Sequence, residues 1–468
     1  MTVRRVTIST LALAALAACS SDQPTAPRAA SAPARNAEAS APTSRHLFVF
    51  AEQSVPADFA ERVAAVGGSV EKTFPGMGIA AVQGLSAEAA QSLGASADVA
   101  SWNQDVALTL DPPASELNAE QSSADVGGSV SDPTTATFYP RQWHLRQIGA
   151  DKAWAAGKRG SRNVKVGILD TGIDYQHADL AGLVDLHLSR SFVPSDDPVV
   201  AATFPGAHPV ADLHYHGTHV AATVASNAIA AAGVTSNVTL VGLKVLSRTG
   251  SGDSFQTLSA IEYAADAGLD VINMSLGIAV PLSLEQYGWF NEMIDRAMEY
   301  AFRKGVVVVV SAGNENMNLD AIGDNFKAYC TATTLTCVSA TGPTARSTVN
   351  GPWTAPDAKA SYSNFGVTHI SVAAPGGNGV SSVTAACSGF SLNVPVCRTG
   401  TFVLGLNGTS MASPHAAGLA ALLVEQVGKR QPGLVRQRLQ QSAADLGKRG
   451  ADPIYGKGRI DVAKALGL

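Results

Sequence analysis

Charge is scarce in this chain: 15% of its 468 residues are Asp, Glu, Lys or Arg, and the net charge is −5. There is no basic excess to serve as a footprint for nucleic acid. Aromatic residues make up only 6% and cysteine numbers five. No apolar run spans a bilayer; the longest near the N-terminus, "VTISTLALAALAA" (6–18), is too short. There is no H-E-x-x-H pair for zinc and no long charged block. What is abundant is glycine (44 residues) within a 46% hydrophobic composition, which suits a compact α/β enzyme with at least one further unit.

The first residues read as targeting. "MTVRR" supplies a positive n-region, and the apolar stretch ends in "LAAC" (16–19). This resembles a bacterial lipobox, with Cys19 the lipidated residue; small residues before it also fit ordinary signal-peptidase cleavage. Residues 1–19 are therefore expected to be a signal peptide, and 20–44, rich in Pro, Ala and Ser, a disordered tether. Residues 45–110 alternate strand and helix patterns in the order β-α-β-β-α-β, the signature of a small α+β ferredoxin-like unit. A polar linker follows at 111–138, and a larger domain at 139–468.

The larger domain reads as α/β. Apolar, β-branched strands are expected at 163–170, 239–246, 269–277, 305–313 and 369–376, with helices at 218–231, 254–267 and 287–304 between them. That alternation implies a three-layer, doubly wound, mainly parallel sheet. Ligands in such sheets bind beyond the carboxyl ends of the strands, so chemistry is sought there.

Four polar residues stand at such ends. Asp170 closes "VGILDTGID"; His216 opens an Ala/Val-rich helix in "HYHGTHVAA"; Asn314 follows "VVVVVSAG"; Ser410 lies in "NGTSMASPH" at the start of a helical run, 411–427. Pro414 is expected near that start, where no backbone donor is needed. Each alone has a plain structural role: turn, loop or N-cap. His214, His216 and His219 cluster in the sequence, but no nearby carboxylate completes a zinc set.

Together, in the order Asp, His, Asn, Ser, the motifs "ILDTGID", "HGTHVA", "SAGNEN" and "NGTSMASPH" resemble those of the subtilisin-like serine proteases, over roughly 141–466. "HADL" (177–180), "SLG" (275–277) and "YGKGRIDVAKAL" (455–466) extend the resemblance. It implies a serine endopeptidase with Asp170, His216 and Ser410 catalytic and Asn314 in the oxyanion hole. It also implies a substrate edge at Ser275, Leu276 and Gly277, with Ala312 and Gly313 bordering the specificity pocket. The 45–110 unit is similar to the family's inhibitory propeptide, so the substrates are proteins and peptides, and the chain's own propeptide acts as inhibitor and chaperone. The expected product is an autoprocessed zymogen cleaved within 111–138, a monomer, exported from a bacterial cell. The precursor is anchored by lipid and the mature enzyme is extracellular or periplasmic.

Three departures from the family pattern stand out: Tyr215 and Ala222 where Gly is usual, and a long connection at 181–213. The chemistry requires no cofactor. The resemblance admits structural calcium, but the family's tight site, which would use Asp179, is incomplete here because the loop "SNAIAAAG" (226–233) is poor in side-chain oxygen. The four cysteines beyond Cys19 form an even set in an exported chain and are read as disulfides. Three pairings are possible; Cys330–Cys337 with Cys387–Cys397 is the sequence-local one and is expected. A lipase or esterase is disfavoured, since a G-x-S-x-G elbow around Ser410 would need Gly at Ala412. A non-catalytic binding protein is disfavoured by the intact set of four polar groups.

Overall fold

The computed structural model describes residues 44–110, 119–122, 128–278, 282–321 and 329–468. Cys19 and the tether up to residue 43 lie outside the described residues, as does part of the 111–138 linker. Among the described residues no helix is long and apolar enough to cross a membrane.

The first unit has strands His46–Phe50, Ser69–Phe74, Ile79–Gln83 and Val99–Gln104, and helices Phe59–Ala65 and Ala87–Gly94. The strands form one antiparallel sheet in the order second, third, first, fourth. The unbroken apolar run "HLFVF" has a physical reason. Phe48 and Phe50 pack with Phe59, Val63 and Leu93 of the unit's own helices. Leu47 and Val49 point the other way, into a core shared with Phe290, Met293 and Ile294. Both faces are covered, so no polar alternation survives.

The large sheet has seven parallel strands. Across it run Val372–Pro375, Thr336–Thr341, Val307–Ser311, Val271–Met274, Lys165–Asp170, Thr239–Lys244 and Arg190–Ser191. Lys165–Asp170 comes early in the chain yet lies mid-sheet, between strands that follow it. The strand order reverses there, and the crevice at such a point opens at the carboxyl end, at Asp170. Helix Thr409–Val427 crosses one face beside His216–Val224, while Ser254–Asp266 and Leu284–Arg303 pack together in the core on the other side.

Several elements differ from the sequence reading. The helix expected at 218–231 ends at Val224, where Ala225 leaves to bridge Thr235. Strand Thr336–Thr341 was not anticipated; "TCVSAT" mixes small and polar residues, although all six are buried. Part of the 111–138 linker is ordered against the large domain. Ala119–Gln121 pairs antiparallel with Phe402–Leu404, and Phe138 N–H donates to the Ala230 carbonyl at 2.8 Å. Pro414 is the sixth residue of helix Thr409–Val427, not part of its first turn.

The cysteines pair Cys330–Cys337 and Cys387–Cys397. Each closes a short loop, of 7 and 10 residues' separation. Loop-closure entropy predicts about 2–3 kcal/mol per bridge. Chemical denaturation of Cys330→Ser/Cys337→Ser is expected to show that loss; an unchanged midpoint at unchanged slope would refute it.

Candidate active site

Asp170 is the last residue of its strand, and its Oδ1 accepts from the following Thr171 N–H at 2.7 Å. His216 is the first residue of its helix, and its Nδ1 lies 2.8 and 3.0 Å from the two Asp170 oxygens. The carboxylate can only accept, so Nδ1 carries the proton and Nε2 is the basic nitrogen. Gly217 is required by the close approach. A Cβ there would stand 2.2 Å from the Gly172 carbonyl oxygen and 3.1 Å from Asp170 Cβ.

A residue that sequence reasoning missed joins these two elements. Asp212 Oδ1 accepts from Thr171 Oγ1 at 2.8 Å, and Oδ2 accepts from Thr218 N–H at 2.9 Å and Oγ1 at 2.6 Å. Its Oδ1 also takes the N–H groups of His214 and Tyr215. Thr171 Oγ1 in turn accepts from Gly217 N–H at 2.9 Å. Burial raises the Asp212 pKa, and the surrounding donors oppose the shift. The only sequence signal was an aspartate four residues before His216. Tyr215 adopts φ 152°, a conformation that L side chains rarely hold. Its ring stacks on His214 at 4.1 Å between centroids.

Ser410 is the second residue of helix Thr409–Val427. Its first-turn position exposes it to the positive end of the helix dipole. Asn314 Oδ1 accepts from Thr409 N–H and Oγ1, both at 2.9 Å, which orients the carboxamide beside the turn that carries Ser410. Thr409, adjacent to Ser410 in "GTS", was missed as the residue that performs this orientation; it also accepts from Gly313 N–H at 3.1 Å.

Ser275, expected on the substrate edge, has its side chain buried beneath it. Its Oγ donates to the Ser410 carbonyl at 2.9 Å and accepts from Asn273 Nδ2 at 2.9 Å. The reason lies four residues along: Pro414 has no N–H to give that carbonyl, so the Ser275 hydroxyl supplies the bond. Ala312 is likewise fully buried and Leu276 nearly so, while Gly277 and Gly313 are partly accessible.

The edge at Gly277–Ile278 is already paired. Residues Ala107–Thr109 run antiparallel to it, with Gly277 opposite Thr109 and Ile278 opposite Leu108. On their other side they pair with Ser251–Asp253, and Leu110 N–H donates to the Gly250 carbonyl at 2.8 Å. Nearby, the Arg45 guanidinium faces three carboxylates: Glu71 at 2.6 Å, and Asp105 and Asp253 at 3.0 Å each. Burial, reinforced by Asp253, pushes Asp105 up to about 7.

The other histidines do not converge with His216. His219 Nε2 meets the Val383 and Leu404 carbonyls at 3.1 and 3.2 Å, and burial pushes its pKa down to about 3. His214 is also pushed to about 3 by burial. Among the described residues no group of three or more His, Cys, Asp or Glu is arranged to hold a metal. Asp179 does not fit a calcium ligand. Its two oxygens accept from the N–H groups of Ile229 (2.8 Å), Ala230 (2.8 Å) and Ala231 (3.0 Å). Those donors turn the lone pairs toward the loop itself.

The Peptidase S8 model, the subtilase family, matches residues 161–458. Subtilisin DY of Bacillus licheniformis is 35% identical over 322 residues, covering 68% of this chain and 96% of its own. A thermophilic serine proteinase of Bacillus sp. (strain AK1) is 33% identical over 329 residues, 69% of this chain and 67% of its own. The crystal structure of an epidermin leader peptide processing serine protease from Staphylococcus aureus superposes with TM-score 0.68 at 20% identity. It covers 91% of this chain and 98% of that one.

Proposed function

The chain belongs to the subtilase family and is a serine endopeptidase, and from that premise we propose that Asp170, His216 and Ser410 form its triad within an autoprocessed zymogen. The reading rests on one observation above others: the Asp170 carboxylate on His216 Nδ1 leaves Nε2 as base. Ser410 Oγ attacks the peptide carbonyl carbon as its proton passes to His216 Nε2. The tetrahedral oxyanion is held by the Asn314 amide and the Ser410 N–H. Collapse breaks the C–N bond, and the imidazolium returns its proton to the leaving amine. Water, deprotonated by the same nitrogen, then releases the acid product.

Asn314→Ala is expected to lower kcat by about a hundredfold to a thousandfold while Ser410 still reacts, more slowly, with phosphonates. An unchanged kcat would remove Asn314 from the oxyanion hole.

Residues 45–110 act as propeptide, and substrate takes the place of Ala107–Thr109 on the Gly277–Ile278 edge. The pairing of that segment supports the reading, because an added strand is recognised mainly through its main chain. Broad side-chain tolerance follows. Cleavage falls within 111–138, and no calcium is used at Asp179. Cys19 is lipidated, so the precursor is tethered and the mature enzyme is released from the exporting cell. Fractionation with an antibody to the C-terminus tests this. The Ser410→Ala precursor is expected to stay full length and membrane-associated. Mature wild-type enzyme that stays on the membrane with residues 20–110 still attached would overturn it.

A further inference from the structure

The loop closed by Cys387–Cys397 joins the paired strands Val383–Ala386 and Phe402–Leu406 and reaches back to the chain just ahead of His216. Ser388 Oγ donates to the Asp212 carbonyl at 2.7 Å. Leu392 N–H donates to the Leu213 carbonyl at 2.8 Å. Ser391 Oγ donates to the His214 carbonyl. Three consecutive carbonyls, at positions 212, 213 and 214, are therefore each taken by one loop. Ser388 and Ser391 are both fully buried. A fourth bond runs from Gly389 N–H to Asp174 Oδ2 at 2.7 Å, and Asp174 N–H donates to Thr218 Oγ1 in the His216 helix. Phe390 seats the loop in a small apolar cluster with Val200, Ala211 and Leu213.

We propose that Ser388 and Ser391 are positioning residues for His216, acting through the Asp212–His214 segment. The proposal rests on the assignment of His216 as the base. The physical argument is the geometry of the grip. The held segment carries Asp212, whose carboxylate ties the Asp170–Thr171 turn to the first turn of the His216 helix. Tyr215 follows it directly and stands at φ 152°, a conformation that costs an L residue energy. A strained residue directly before a catalytic side chain keeps its conformation only if its surroundings over-determine it. The loop supplies those restraints on the upstream side, and the disulfide shortens the loop so that they hold together. Loosening them lets the imidazole drift from its place on the Asp170 carboxylate, and a misplacement of about 1 Å can cost about a hundredfold in rate.

The test uses mature enzyme processed from the full chain. Active sites are counted by phosphonate labelling at Ser410, and kcat per labelled site and KM are measured on one peptide substrate. Ser388→Ala/Ser391→Ala is expected to lose about tenfold in kcat per site, with KM within about twofold and with labelling slowed by a similar factor. Unchanged kcat per site overturns the proposal. So does a loss carried by KM alone, which would make the loop a substrate wall. Should the double variant fail to mature, Ser388→Ala leaves the other two bonds in place and is expected to lose about threefold in kcat. Unchanged turnover there overturns the proposal equally. Parent enzyme that is active but not labelled at Ser410 would instead refute the triad assignment itself.

Discussion

Ser410→Ala is expected to lower kcat by about a millionfold, to the residual rate that substrate binding and the oxyanion donors sustain without a nucleophile. The size of the effect follows from the way the groups act as a unit. His216 has no proton to accept once the hydroxyl is gone, so its pairing with Asp170 contributes nothing further. The neighbouring serine provides an internal control. Ser413 is fully buried and donates to Asn273 Oδ1 at 2.6 Å, beneath the helix. Ser413→Ala should therefore still label with a phosphonate, while Ser410→Ala should not. Wild-type turnover by Ser410→Ala, measured on protein freed of host peptidases, would end the assignment.

Asp170→Asn is expected to cost about ten-thousandfold in kcat with KM little changed. An asparagine can occupy the same volume, so the strand end and the Thr171 turn survive. What changes is the tautomer. Asp170 now accepts from His216 Nδ1 at 2.8 and 3.0 Å through atoms that cannot donate. A carboxamide can turn its NH2 group toward Nδ1, placing the ring proton on Nε2 and leaving Ser410 no base. The developing imidazolium also loses its countercharge. Loss of less than about tenfold would mean that Asp170 does not govern the histidine. Loss through KM instead would place its role in binding.

Local pattern made the candidate groups readable one at a time. Asp170, Asn314 and Ser410 each sit where an apolar run meets glycine, and Gly at such junctions marks close backbone approach. The helices expected at 254–267 and 287–304 were legible because amphipathic spacing is a property of a few consecutive residues; the capping box of Ser283 with Gln286, which starts the second at Leu284, was not read. The β-α-β-β-α-β order of the first unit was legible for the same reason.

What the one-dimensional pattern did not hold were bonds between residues far apart in the chain. Ser275 belonged by motif to the substrate edge, but Pro414 leaves a buried carbonyl to satisfy, and Ser275 Oγ is the donor placed to do it, 135 residues away. Strand Thr336–Thr341 has no apolar period, because small and hydroxyl side chains fill a fully covered position beside the edge strand. Asp212 and the 387–397 loop lie in no motif, and Thr409 lies in one that gave it no role; their importance lies in which groups they meet. The sequence by itself determined the chemistry available and the order in which it arrives along the chain. The tertiary structure decided which groups share a bond, since a buried donor or acceptor must find whatever partner the packing brings near.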